Sequence, residues 1–209
     1  MKKVRGVALD LVAERGMANV TIADIAAAAD VSPRTFFNYF PSKEAALFGG
    51  SDPEREGRLR DRVASEAPGE PALSALRTVM AQDAEAIADE FRFLGGDPAH
   101  WLRRIKVARE DPQVRAAHAA QMAMIERAIT EGLAIRLGVS PEADPYPGVL
   151  AAVAVGVVRA CTVFWGSSGG TVQLSQLMDQ AFSALADGLP ESSPLREITA
   201  SATDRKDSL

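Results

Sequence analysis

Arg34, Thr35, Asn38, Tyr39 and Lys43 fall within one short stretch and supply a guanidinium fork, a hydroxyl with a methyl, a carboxamide, a phenol and an ammonium. Those are the groups that read base edges and grip phosphate. Arginine bonds both acceptors of a guanine edge, and threonine or an aromatic ring can touch a thymine methyl. Four rings, Phe36, Phe37, Tyr39 and Phe40, crowd the same stretch of a chain that is only 6% aromatic, so a core alone does not explain them. Helical spacing puts Phe36 and Phe40 on one face and turns Phe37 and Asn38 away from it.

Elsewhere the reactive residue types are scattered. His100 and His118 lie far apart with no metal-ligand spacing, and Cys161 sits in an apolar run where an inert core thiol is expected. No strand leads into a glycine-rich phosphate loop, and the carboxylates fall on solvated helix faces. The expectation is a protein that is not an enzyme, with no cofactor and no metal.

The local elements are placed to present the 32–43 stretch. Val4, Val7, Ala8, Leu11 and Val12 form the single apolar stripe of an amphipathic helix that Gly16 stops. Thr21 and Asp24 predict a capping box for a second helix carrying Ile22, Ile25, Ala26 and Ala29 on its apolar face. Ser32 as N-cap and Pro33 at the first helical position open a third helix over residues 33–39. Pro41 ends it, Ser42 caps a fourth helix, and Glu44 lies in that helix's first turn. Two short helices across a tight turn, braced by a preceding helix, make a helix-turn-helix unit; the plain alternative is a three-helix corner of an α-helical protein.

Beyond residue 48 no stretch alternates as a strand would. Helices are predicted over residues 71–93, 98–107, 111–137, 146–165 and 171–189, with residues 49–57 loosening or kinking the fourth helix near its start. The expected fold is all-α with about nine helices. It divides into a helix-turn-helix domain (residues 1–48), a further helical domain (49–190) and a disordered polar tail (191–209).

Composition bounds the partners. With 47% hydrophobic and 24% charged residues the 209-residue chain reads as globular, and a single cysteine with no apolar leader points to a cytoplasmic setting. The apolar run 148–158 is shorter than the ~20 residues a bilayer crossing needs, so no membrane partner is expected. Residues 1–48 carry six Lys and Arg against five Asp and Glu (+1), whereas the remainder carries 17 against 23 (−6). A general basic field is therefore excluded, and any nucleic acid is held by a few groups near the N-terminus.

Residues 21–47, "TIADIAAAADVSPRTFFNYFPSKEAAL", preceded by an amphipathic helix ending "ERG", resemble the DNA-binding domain of TetR-family transcriptional regulators. The resemblance implies an all-α ligand-binding and dimerisation domain after it. It implies that Thr21 holds a backbone phosphate, that Pro33, Arg34, Thr35, Phe37 and Asn38 lie along the recognition helix behind Ser32, and that Tyr39 and Lys43 grip phosphate at its end. The chain departs from the family pattern in three places. Asp30 stands at a turn position that is usually glycine, Lys2, Lys3 and Arg5 are all that remains of a basic arm, and Phe36-Phe37 replaces a commoner Leu-Tyr pair.

In the regulatory part, Leu174, Leu177, Met178, Phe182 and Leu185, with Val153 and Val157 of the small-residue helix, are the dimer-interface candidates; an intramolecular core is the alternative. Effector-pocket candidates are Phe91, Trp101, Ile105, Met122, Ile125, Phe164 and Trp165, with Arg159 either anchoring an acidic or carbonyl-bearing ligand or pairing with a carboxylate at a subunit interface. The reading that follows is a homodimeric, ligand-responsive repressor of unknown effector, nucleoid-associated when bound to a palindromic operator. Two alternatives stand beside it: a helical DNA-binding protein controlled by a protein partner, and a helical small-molecule binder without DNA activity.

Overall fold

The computed structural model describes residues 2–48, 53–67, 69–93, 106–107, 110–168 and 172–190. Among these the protein is all-α, as expected. Its helices are α1 (Lys2–Arg15), α2 (Ile22–Ala28), α3 (Pro33–Phe37), α4 (Lys43–Phe48), α5 (Pro53–Ser65), α6 (Ala72–Phe93), α7 (Pro112–Leu137), α8 (Tyr146–Ser167) and α9 (Leu174–Ala186), with a 3-10 turn at Met17–Asn19. Of the helix expected over residues 98–107, only Lys106 and Val107 are described, and both are helical. The tail 191–209 lies outside the described residues. Residues 53–65 form a helix of their own where the sequence reading continued the fourth.

The N-terminal helices close around one core. Val4, Ala8 and Val12 of α1 meet Met17, Val20, Ile25, Phe36, Phe40, Ala46 and Leu47, all buried. Gly16 takes φ 76°, a value that favours glycine, and turns the chain from α1 into the 3-10 turn while its N–H still bonds the Val12 carbonyl at 2.9 Å. Val107 and Val114 belong to this same core. The start of α7 is thus physically part of the N-terminal domain although it lies far beyond residue 48.

Helices α5 to α9 surround a second core in which Leu76, Val79, Ile129, Leu133, Ala151, Ala154 and Phe182 are buried. Farther along, Ala84, Cys161, Trp165, Leu174, Leu177 and Met178 form a third. Helices α5 and α7 approach so closely that a Cβ at Gly132 would stand 2.6 Å from the Arg60 carbonyl oxygen, so only glycine fits there. Arg136 then clasps the carbonyls of Glu66, Ala67 and Glu70, tying the turn after α5 to the end of α7.

Candidate nucleic-acid interface and the helices behind it

The turn between α2 and α3 survives its aspartate. Asp30 takes φ 60°, in the left-handed region that costs a non-glycine residue about 1–2 kcal/mol, though a short polar side chain is among the better tolerated there. Ser32 caps α3, accepting the Thr35 N–H at 3.0 Å, and its hydroxyl also meets the Thr35 hydroxyl at 2.8 Å. A proline at the first turn completes a helix start whose signals are local to residues 32–35.

This short helix is anchored by two rings and presents two others. Phe36 is fully buried and Phe40 nearly so, with ring centroids 5.5 Å apart. Phe37 stands edge-on to Phe36 at 5.9 Å but is 55% exposed, and Tyr39 is 57% exposed. Pro33, Arg34 and Asn38 are exposed as well, and Thr35 half-exposed. Arg34, Thr35, Phe37, Asn38 and Tyr39 thus come together on the solvent side of α3 and the turn that follows it.

The flanking positions are more heavily committed than spacing suggested. The Thr21–Asp24 capping box forms in full: Asp24 N–H donates to the Thr21 hydroxyl oxygen at 3.1 Å, while the Thr21 N–H and hydroxyl both donate to the Asp24 carboxylate. The Thr21 hydroxyl, with its N–H behind it, holds the Asp24 carboxyl below the usual carboxylate range. Lys43 directs its ammonium to the Met17 and Val20 carbonyls at 2.6 and 3.0 Å, spending two of its three donors on the 3-10 turn. Ser42 caps α4 by accepting the Ala45 N–H at 3.1 Å.

The expected dimer-interface residues sit differently. Leu174, Leu177, Met178 and Phe182 are all 2% exposed or less within the protomer, facing α6 and α8, so the surface they would offer a second chain is already taken. Val157 and Leu185 pack partly against the same cores, and Val153 is half-buried. Among the described residues, apolar surface remains open on the other side of α8: Tyr146, Val149, Ala152, Ala160 and Val163 are exposed, with half-exposed Gly156 between them. Helix α8 extends past the 148–158 run at both ends and is long and apolar enough by length and composition to cross a membrane. The sequence offered this helix as an interface candidate through Val153 and Val157 but did not single out its open face, because α8 is apolar nearly all round and leaves periodicity no contrast with which to orient it.

The effector candidates are not gathered into one cavity among the described residues. Met122 and Ile125 are half-buried, and Ile125 packs against the second core. Phe164 packs partly against the third core, while Trp165 is buried in it with its indole N–H donating to the Val172 carbonyl at 2.9 Å. Arg159 is exposed on the open side of α8, away from the interior that the ligand-anchor alternative of its two expected roles would need. Phe91 belongs to α6 but its side chain is not described, and Trp101 and Ile105 lie outside the described residues. A small charged notch between α5 and α7, lined by Glu56, Gly57, Arg60, Arg127, Ala128 and Glu131, shares none of these residues. Burial pushes the Cys161 thiol up to about 11, in keeping with a core position.

Comparison with known proteins matches two stretches of the chain. Residues 6–48 match the family model described as bacterial regulatory proteins, tetR family, and residues 70–190 match the MftR C-terminal domain model. The HTH-type transcriptional regulator TcmR of Streptomyces glaucescens is 27% identical over 161 residues, covering 76% of this chain and 69% of that protein. A Mycobacterium tuberculosis protein named for the regulation of mycofactocin biosynthesis, MftR, is 26% identical over 189 residues, covering 89% of each. Among solved structures, the Thermus thermophilus repressor FadR in complex with lauroyl-CoA aligns over 92% of this chain and 96% of that chain, at 24% identity and TM-score 0.49.

Proposed function

The chain belongs to the TetR family of bacterial transcriptional regulators, and from that membership we propose that it is a homodimeric repressor that leaves a near-palindromic operator when a small molecule binds its regulatory domain. The observation that carries the DNA-binding half is the split of rings on α3. Phe36 and Phe40 pin the helix to the core, which frees Arg34, Thr35, Phe37 and Asn38 to enter a major groove as a rigid unit.

Arg34 is assigned to a guanine edge, Phe37 and Thr35 to thymine methyls, and Asn38 to an adenine or a phosphate; Tyr39, with Ser32 and Pro33 at the other end, lies against the backbone. Thr21 reaches phosphate only by exchanging its bond to Asp24. Lys43 braces the turn before α2 and has one donor left for phosphate.

The open face of α8 supports the dimer. A second copy laid across Val149, Gly156, Ala160 and Val163 would bury apolar surface that the protomer leaves in water, and glycine and alanine let two helices approach closely. Arg159 on that face fits the subunit-interface role better than the ligand-anchor role. Two-fold symmetry then sets two recognition helices about 34 Å apart on successive major grooves. A ligand that favours a different spacing releases the operator by population shift.

The test is fluorescence anisotropy with DNA taken from upstream of the protein's own gene. Specific, salt-dependent binding that Arg34→Ala weakens by at least tenfold is the expected result. Equal affinity for unrelated DNA, or no effect of Arg34→Ala, would sink the assignment of α3.

A further inference from the structure

One carboxylate serves two domains. Asp111 caps α7, its Oδ1 accepting the N–H groups of Gln113 and Val114 at 2.9 and 3.1 Å, while its Oδ2 accepts the Met17 N–H at 2.8 Å across 94 positions of sequence. Met17 is gripped from the other side as well, its carbonyl taking the Lys43 ammonium. The first turn of α7, the start of α4 and the turn before α2 therefore meet on a single residue.

We infer that Asp111 is a positioning residue that sets the orientation of the DNA-binding domain on the regulatory domain, and through it the affinity for operator. The inference rests on the DNA-binding reading above. Met17–Asn19 leads directly into Thr21 and α2, and α2 carries the turn that aims α3. Any shift of the α7 start is passed to that turn through a directional hydrogen bond as well as through Val107 and Val114, which slot into the N-terminal core. Gly16 lies beside the contact, but a Cβ there would stand at an ordinary 3.9 Å from Asp111 Oδ2, so the glycine answers to the turn's φ of 76° and not to lack of space.

The carboxylate is charged in this role. Burial alone would raise the affinity of Asp111 for a proton, but the Met17, Val114 and Gln113 N–H groups and the nearby Lys43 charge outweigh it and hold the group below the usual carboxylate range. A carboxylate has two oxygens and can face two sets of donors; a serine has one and can only cap. An ordinary N-cap tolerates that exchange, whereas a bridge between domains does not.

The experiment compares full-length wild type with Asp111→Ser. Helicity should be kept, while exchange of the Met17 amide accelerates about tenfold or more and operator affinity falls about fivefold to tenfold as the DNA-binding domain samples misoriented states. Wild-type exchange at Met17, or operator affinity equal to or tighter than wild type, would overturn the inference. If the serine variant does not fold, Asp111→Asn replaces it: asparagine caps well, but turns an NH2 donor toward the Met17 N–H, and the same two readouts decide. Failure of the wild type to bind any DNA from upstream of its gene would instead sink the regulator reading, and the exchange rates alone would then judge the bridge.

Discussion

The Lys43 ammonium donates to the carbonyl of Met17 at 2.6 Å, closing the first turn of α4 onto the 3-10 turn that precedes α2. With the second bond to Val20 it satisfies two carbonyls of that turn, of which Met17's otherwise takes only the long 3.5 Å bond from the Val20 N–H. A lysine placed for phosphate alone would affect only binding. Lys43→Met should therefore lower stability by about 1–2 kcal/mol, at the lower end for charge-assisted bonds because the group is only partly buried. Chemical denaturation checks this; a variant as stable as wild type, with the salt slope of DNA binding reduced by about one phosphate contact, would return Lys43 to the phosphate role.

The two neighbouring phenylalanines should separate stability from binding. Phe36→Ala removes a fully buried ring and is expected to cost about 3–5 kcal/mol. Phe37→Ala removes a ring that is 55% exposed and should change stability by less than about 0.5 kcal/mol while weakening operator binding. Denaturation and anisotropy on the same two proteins test the pair, and equal effects of both substitutions on stability would contradict the division of rings.

Helix α8 offers a similar separation for assembly. Val149 and Val163 are 57% and 46% exposed in the protomer, so Val149→Asp with Val163→Asp should leave the fold intact and yield monomers in sedimentation. Leu177→Asp, aimed at a residue 2% exposed, should instead unfold the regulatory domain. A folded dimer persisting in the double variant would move the interface off α8.

What was legible in the chain was local chemistry. The Thr21–Asp24 box, the Ser32-Pro33 start and the sorting of Phe36 and Phe40 from Phe37 and Tyr39 all depend on spacings of four residues or fewer, which sequence shows directly, whereas the left-handed turn at Asp30 was signalled by the family resemblance. Contacts between distant segments left no such trace. Nothing near Asp111 announces Met17, and nothing near Lys43 announces that its charge is spent on Met17 and Val20. The interface candidates stayed ambiguous in sequence for a further reason: α8 and α9 are both apolar enough to face a core or a partner, and it takes the packing of α6 and α8 against α9 to show that Leu177 and Phe182 point inward.

Cys161 gives a prediction with a definite sign in pH. Burial raises its folded-state pKa from an ordinary 9.0 to about 11, so the folded protein disfavours the thiolate relative to the unfolded chain. The stability this lends is fully present below pH 9 and is lost as pH climbs toward about 11. Cys161→Ala should remove that component of the alkaline loss, although it leaves a small cavity beside Leu177 that lowers stability at every pH. Stability measured by denaturant midpoint at pH 8 and at pH 10.5 should therefore fall less for the variant than for wild type. Parallel losses in the two proteins would show that the thiol takes no part, and rapid alkylation of native Cys161 at pH 8 would contradict its burial outright.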